Sequence, residues 1–119
     1  MIDHTSLTVS DFAKSRGFFE RALKPLGYKV IREFPGVAGL GEGERADFWI
    51  AQGKSQPVHL AFAANNRKLV DEFYKAATAA GGRDNGGPGL RTQYHPDYYA
   101  AFVYDPDGNN IEVVCRKHE

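Results

Sequence analysis

The sequence has a single cysteine, no long hydrophobic run and no excess of charge of either sign. Cys115 has no second cysteine with which to form an internal disulfide. Its place in an apolar, strand-like segment predicts a packed and unreactive thiol rather than a nucleophile. No stretch approaches the roughly 18 apolar residues that a membrane-spanning helix requires. These absences argue against a disulfide-stabilised protein and against a membrane protein.

The charge balance also narrows the possible partners. Lys plus Arg and Asp plus Glu each total 15, so no net charge attracts the chain to nucleic acid or to an anionic membrane. Hydrophobic residues make up 42% of the 119 residues, too many for a disordered chain. The N-terminal segment lacks the basic and apolar regions of a secretory signal, and we therefore expect a cytoplasmic protein. We expect a small-molecule partner and no nucleic acid.

The chain has two similar halves. Each begins with a short strand containing a histidine, His4 in IDHTSLTV and His59 in PVHLAFA. In each half an Asx-capped helix that ends near glycine follows, and an apolar strand closes the half, ADFWIAQ in one and NNIEVVC in the other. The repeat predicts a single domain, 1–119, of two modules at about 1–54 and 55–119, each with the order strand, helix, strand, strand, strand.

Two histidines and one carboxylate are candidate metal ligands. Strand alternation separates His4 and His59 from the apolar faces of their strands. Glu112 lies among apolar neighbours in the last strand, where a lone carboxylate is costly to bury unless it is paired, protonated or bound to a metal. Two His and one carboxylate form a set that leaves coordination positions open for substrate. The alternatives are a surface histidine and an exposed edge glutamate.

The loop from Pro88 to Tyr99 is rich in side chains suited to binding. It contains an arginine, a histidine and three tyrosines: Arg91, Tyr94, His95, Tyr98 and Tyr99. Aromatic rings beside a guanidinium suit a planar or anionic small molecule. The alternative is that the tyrosines pack the loop onto the sheet and that His95 is exposed to solvent.

Four segments together resemble the vicinal oxygen chelate superfamily, which includes glyoxalase I, extradiol dioxygenases and bleomycin or fosfomycin resistance proteins. The segments are IDHTSLTVSD, SRGFFERALKPLGYKV, VHLAFAA and, most specific, FVYDPDGNNIEVV. The resemblance implies an α+β fold of two βαβββ modules whose curled mixed sheets form a partial barrel around a central cleft. It places up to four metal-ligand positions, which fall on His4, Trp49, His59 and Glu112.

Trp49 departs from the pattern of this superfamily. An indole cannot coordinate a metal, so the ordinary lyase site is incomplete. The three remaining ligands match the extradiol set in residue type. Trp49 is then either an aromatic wall of a binding cleft, with or without a metal, or a packed core residue.

The resemblance implies a small divalent-metal-dependent enzyme, a lyase or an extradiol-type dioxygenase, that acts on a molecule with vicinal oxygens. The expected metal ligands are His4, His59 and Glu112, and the ion is Fe, Mn, Ni, Co or Zn. The expected catalytic residues are His95, Tyr98 and Tyr99, and the expected substrate-binding residues are Trp49, Arg91 and Tyr94. The alternatives are a metal-free, drug-sequestering protein of the bleomycin-resistance type and a non-catalytic relative.

We also expect a homodimer. A half-open barrel leaves strand edges and apolar surface to cover. Small symmetric proteins most often pair about a two-fold axis.

Overall fold

The computed structural model describes residues 1–119 and consists of two modules. The elements of the first are β1 (Thr5–Val9), α1 (Phe12–Ala22), a 3₁₀ turn (Lys24–Leu26), β2 (Lys29–Phe34), β3 (Val37–Gly41) and β4 (Phe48–Gln52). Those of the second are β5 (His59–Ala63), α2 (Arg67–Ala79), β6 (Arg83–Asp84), β7 (Gly89–Leu90), β8 (Tyr99–Tyr104) and β9 (Asn110–Cys115). Neither helix has the length and apolar character that a membrane crossing demands.

The two modules repeat one sheet topology. The strand order is β1-β4-β3-β2 in the first sheet and β5-β9-β8-β6 in the second, where β7 also pairs with β8. In each sheet the opening and closing strands are parallel neighbours, β1 with β4 and β5 with β9. The predicted α+β class with two similar modules is confirmed. The two sheets remain separate and do not close into a barrel.

Asx side chains begin both helices, as the sequence predicts. The Asp11 carboxylate accepts a hydrogen bond from the Lys14 backbone N–H at 3.2 Å. The Asn66 side-chain oxygen accepts one from the Leu69 backbone N–H at 2.9 Å. These bonds satisfy N–H groups that have no partner within the helix, and they fix the residue at which each helix begins.

A continuous apolar core joins the two modules on the helix-covered faces of the sheets. Phe19 packs edge-on against Phe48 at 5.0 Å between ring centroids, and Phe48 packs edge-on against Phe62 of the second module at 5.3 Å. Cys115 is fully buried in the same core, which agrees with a packed thiol. Because the helices cover only one face of each sheet, the opposite faces are left to carry polar side chains.

The turn between β8 and β9 organises the second sheet. The buried Asp105 carboxylate accepts hydrogen bonds from the backbone N–H groups of Asp107 and Asn109, at 3.0 and 2.7 Å. The Asn109 side chain accepts one from the Val58 backbone N–H at 2.8 Å, which fixes the entry to β5 beside β9. Ser10, at the end of β1, donates its backbone N–H to Asp107 at 3.1 Å. The DPDGNN motif thus fixes how β5 lies beside β9 and links the two modules.

Candidate functional site

His59 and Glu112 meet on the face of the second sheet that the helices leave open. Because β5 and β9 are parallel, with Ala61 opposite Glu112, the two side chains project from the same face of neighbouring strands. His59 Nε2 lies 2.8 Å from Glu112 Oε1. The Glu112 side chain is only 2% exposed, whereas that of His59 is 54% exposed. The glutamate therefore forms the floor of the site, and the histidine stands at its open side.

Tyr98 satisfies the other oxygen of the buried carboxylate. Its hydroxyl donates a hydrogen bond to Glu112 Oε2. Burial, together with the hydrogen bond to Glu112, raises the pKa of Tyr98 to about 12. The phenol therefore keeps its proton at neutral pH and remains a donor. Glu112 is thus paired on both oxygens, which is how the fold accommodates a carboxylate among apolar neighbours.

These residues belong to a cleft of about 500 Å³, here called the second-module cleft. Six side chains line it: His59, Gln93, Tyr94, Tyr98, Glu112 and Arg116. The Tyr94 and Tyr98 rings form an edge-on pair with centroids 5.1 Å apart. The Arg116 guanidinium lies over the Tyr98 ring, 4.8 Å from its centroid. The volume and the mixture of aromatic and polar groups suit a small organic ligand.

Gln93 and Arg116 line the cleft but were not predicted from the sequence. Arg116 directly follows β9. Strand alternation, continued from Glu112 through Val114, places Arg116 on the face of the glutamate, so the signal was present in the spacing. Gln93 lies within the loop already singled out, but an amide carries no catalytic signature of its own.

Arg91 braces the loop and does not reach into the cleft. Its guanidinium donates hydrogen bonds to the backbone carbonyls of Gly87 and Gly89, each at 2.8 Å. It also lies over the Phe102 ring, 5.3 Å from the centroid. These bonds stabilise the conformation of the loop backbone before Tyr94. The cation of the cleft is Arg116.

His95 and Tyr99 also lie outside the cleft. The exposed His95 ring accepts a hydrogen bond at Nδ1 from the Asp97 backbone N–H at 3.1 Å. Tyr99 points to the opposite face of β8, where its hydroxyl donates to Asp71 of α2 at 2.6 Å. Of the three side chains predicted to be catalytic, only Tyr98 contacts Glu112.

His4 lies apart from the other two predicted metal ligands. Its Nδ1 is 2.8 Å from the neighbouring Asp3 carboxylate, and it lines a separate cleft beside Thr5 and Leu60. No three His, Cys, Asp or Glu side chains are grouped in a way that could hold a metal ion within this single chain. The structure thus brings together His59 and Glu112, with His4 elsewhere.

Trp49 packs against its own module. It lies opposite Gly39 in the antiparallel pairing of β3 and β4. A Cβ atom added at Gly39 would lie 2.8 Å from two ring atoms of Trp49 and from the Ala46 side chain. The ring is half-buried and does not line the second-module cleft. The absence of a side chain at Gly39 makes room for the indole.

Residues 1–113 match the family described as the Glyoxalase/Bleomycin resistance protein/Dioxygenase superfamily. The chain belongs to this superfamily. The resemblance seen in the sequence motifs is therefore confirmed, and the repeated modules with an open sheet face are the superfamily fold. Members of this superfamily bind small-molecule ligands and often a divalent metal.

Individual relatives support the assignment. The uncharacterized protein YqjT of Bacillus subtilis (strain 168) is 33% identical, in an alignment that covers 94% of this chain and 96% of YqjT. A glyoxalase/bleomycin resistance protein from Albidiferax ferrireducens T118 superposes with a TM-score of 0.81 at 27% identity, covering 96% of this chain and 97% of that one. Lactoylglutathione lyase from Agrobacterium tumefaciens shares the fold, with a TM-score of 0.71, 19% identity and coverage of 97% and 92%.

Proposed function

We propose that the chain is a divalent-metal-dependent enzyme of the glyoxalase or dioxygenase type that acts on a small molecule with vicinal oxygens. The observation that carries the proposal is the pairing of His59 with Glu112 at 2.8 Å in the second-module cleft. An imidazole nitrogen and a carboxylate oxygen on one face are ligands that Fe, Mn, Ni, Co and Zn accept. Membership of a superfamily that often binds such ions supports this choice.

One chain supplies two of the three protein ligands of such a metal site. His59 and Glu112 are in contact, but a facial site needs a third ligand, and one chain groups no third His, Cys, Asp or Glu with them. We propose that His4 of the partner subunit supplies it in a homodimer. The open faces of both sheets, which do not close into a barrel, support this arrangement because a second copy can cover them.

The residues around the pair have distinct roles in this proposal. A bound ion would supply Lewis-acid stabilisation of an oxyanion or enolate on the substrate. Tyr98 orients Glu112 through its hydrogen bond and is the candidate acid, because its phenol keeps a proton at neutral pH. Trp49 occupies the position at which the resemblance to glyoxalase I predicts a metal ligand. Because an indole cannot coordinate a metal, we expect little isomerisation of glutathione hemithioacetals.

Elemental analysis of protein purified without a histidine tag tests the proposal. The wild-type protein should carry a divalent ion, and His59→Ala should lose it because one ligand is removed. His118→Ala is the matched control, since His118 is an exposed histidine paired with Asp97 outside the cleft. The proposal fails if the wild-type protein neither retains nor takes up a divalent ion. It also fails if His59→Ala and His118→Ala contain the same amount of metal.

The second candidate is a metal-free, drug-sequestering protein of the bleomycin-resistance type. The observation that favours it is the pairing of both Glu112 oxygens by His59 and Tyr98, which leaves the carboxylate no need of an ion. The aromatic pair of Tyr94 and Tyr98 would then hold a flat ligand. Tight ligand binding that survives a chelator, by a protein with no metal, would favour this candidate.

A further inference from the structure

We propose that the second-module cleft binds a planar organic anion, with Arg116 holding its carboxylate group and Tyr94 stacking on its ring. The proposal names the substrate class of the site described above and therefore rests on the proposed function. The charge of the cleft and the free guanidinium of Arg116 support the carboxylate group, and the exposed ring of Tyr94 supports the flat ring.

The charge that the cleft presents to a ligand favours an anion. Glu112 is negative when ionised, but it is almost fully buried, and both of its oxygens accept hydrogen bonds from His59 and Tyr98. Arg116 is the only lysine or arginine among the six lining residues. A ligand entering the cleft therefore meets the positive charge of Arg116 at the wall, whereas the buried Glu112 carboxylate directs both oxygens to His59 and Tyr98, and this arrangement favours an anion.

The guanidinium of Arg116 is free to bind a ligand. Arg16 and Arg45 pair with the carboxylates of Glu33 and Asp3. Arg116 has no ion pair and no side-chain hydrogen bond, and its guanidinium lies over the Tyr98 ring at 4.8 Å. A guanidinium above a ring can still donate its N–H groups, and their planar fork matches the two oxygens of a carboxylate. Arg116 is thus pre-positioned for a planar, bidentate partner.

An exposed aromatic ring lies in the same cleft. Tyr94 lines the cleft and is 64% exposed, so much of its ring surface is open to a ligand. Its edge-on contact with Tyr98 at 5.1 Å fixes one side of the ring. The ring lies in the same cleft as Arg116, so a flat ligand can contact both. An aromatic or conjugated carboxylate fits this combination of ring and cation.

The test measures binding of benzoate, benzamide and cyclohexanecarboxylate by calorimetry or ligand-observed NMR, with metal-free protein. Benzoate should bind more tightly than the other two, because benzamide lacks the charge and cyclohexanecarboxylate lacks the flat ring. Arg116→Gln should weaken benzoate binding about tenfold, since it removes a charge-assisted pair of hydrogen bonds. Arg116→Lys should bind benzoate with an affinity between those of the wild-type protein and Arg116→Gln, because lysine keeps the positive charge but lacks the planar guanidinium. Tyr94→Leu should reduce the preference for benzoate over cyclohexanecarboxylate.

Arg83→Gln is the matched control. Arg83 also lies over a tyrosine ring, 5.1 Å from the centroid of Tyr104, but it does not line the cleft. The inference is overturned if benzoate and benzamide bind equally, if Arg116→Gln and Arg83→Gln have the same effect, or if benzoate does not bind at millimolar concentration. These binding measurements need no metal. A negative result for benzoate therefore leaves the proposed metal site standing, and a negative elemental analysis leaves the proposed anion binding standing.

Discussion

Tyr98 donates its phenolic hydrogen to the buried carboxylate of Glu112, and this bond joins the loop before β8 to the floor of the second-module cleft. Tyr98 is itself buried beneath Tyr94 and Arg116. The bond therefore connects the residues proposed to bind a ligand with one proposed to bind a metal. Its removal has consequences that can be measured without knowing the substrate.

Tyr98→Phe should lower the free energy of unfolding by about 1–3 kcal/mol, because it leaves one oxygen of a buried carboxylate without a donor. Urea denaturation measures this loss. Tyr104→Phe is the control, because the Tyr104 hydroxyl makes no hydrogen bond and Tyr104 does not line the cleft. Equal stability of the two variants would contradict a stabilising role for the bond.

The pH dependence of Tyr98 tests the same contact. Its folded-state pKa of about 12 exceeds the ordinary value of 10.0, so the folded state holds the proton more tightly than the unfolded state. The resulting stabilisation is fully present below pH about 10 and is lost as the pH rises through about 12. Near-ultraviolet difference spectra of wild-type protein and of Tyr98→Phe should identify this late ionisation.

Glu112→Gln should lower the pKa of Tyr98 without returning it to the ordinary value. Burial is the largest cause of the shift and persists in the variant, whereas the hydrogen bond to a carboxylate and its charge are removed. The same spectra measure the change. An unchanged late ionisation in Glu112→Gln would mean that burial alone sets the pKa.

Gly39→Ala should displace the Trp49 ring, because the new methyl group would lie 2.8 Å from the ring and from Ala46. We expect a loss of about 1–3 kcal/mol in unfolding free energy, typical of overpacking. Trp49 is the only tryptophan, so the emission spectrum reports on it alone. Gly87→Ala is the control, because no atom lies within 4 Å of its added methyl group. Identical emission and stability in both variants would contradict this packing.

The repeat and the pairing of His59 with Glu112 could be anticipated because their signals are local. Two short segments with matched histidines, followed by capped helices, predict the two modules. Alternation within each strand predicts the face on which His59 and Glu112 lie. The DPDGNN turn predicts the strand pair β8 and β9, and Asn109 then fixes β5 at its start.

The position of His4 could not be anticipated, because it depends on how the modules pack. Strand alternation describes a face within one sheet, but it does not relate one sheet to the other. Here the core contacts run between the modules through Phe48 and Phe62, and the sheets do not close around one centre. His4 consequently lines its own cleft, apart from His59 and Glu112.

The sequence also could not predict which side chains of the loop from Pro88 to Tyr99 reach the cleft. Tyr98 and Tyr99 are adjacent in sequence and therefore point to opposite faces of the sheet. The register of β8, with Tyr99 opposite Cys115, assigns Tyr99 to the helix-covered face and leaves Tyr98 for the cleft. Arg91 is directed to backbone carbonyls by the glycine-rich path of its own loop, which composition does not specify.

The most direct measurement of the central claim is metal binding by mixed dimers of His4→Ala and His59→Ala. Both side chains are largely exposed, so both variants should fold. Each variant alone should lack complete sites. In a mixed dimer, the His59→Ala chain supplies His4 to the intact His59 and Glu112 of the other chain, and one site of the two is restored.

Titration with a divalent ion after random reassociation should recover about a quarter of the wild-type sites, because about half of the dimers are mixed and each holds one intact site. We expect this partial recovery of metal binding from two variants that each lack complete sites. No recovery on mixing, with the wild-type protein binding the ion, would contradict a site shared between two copies of the chain.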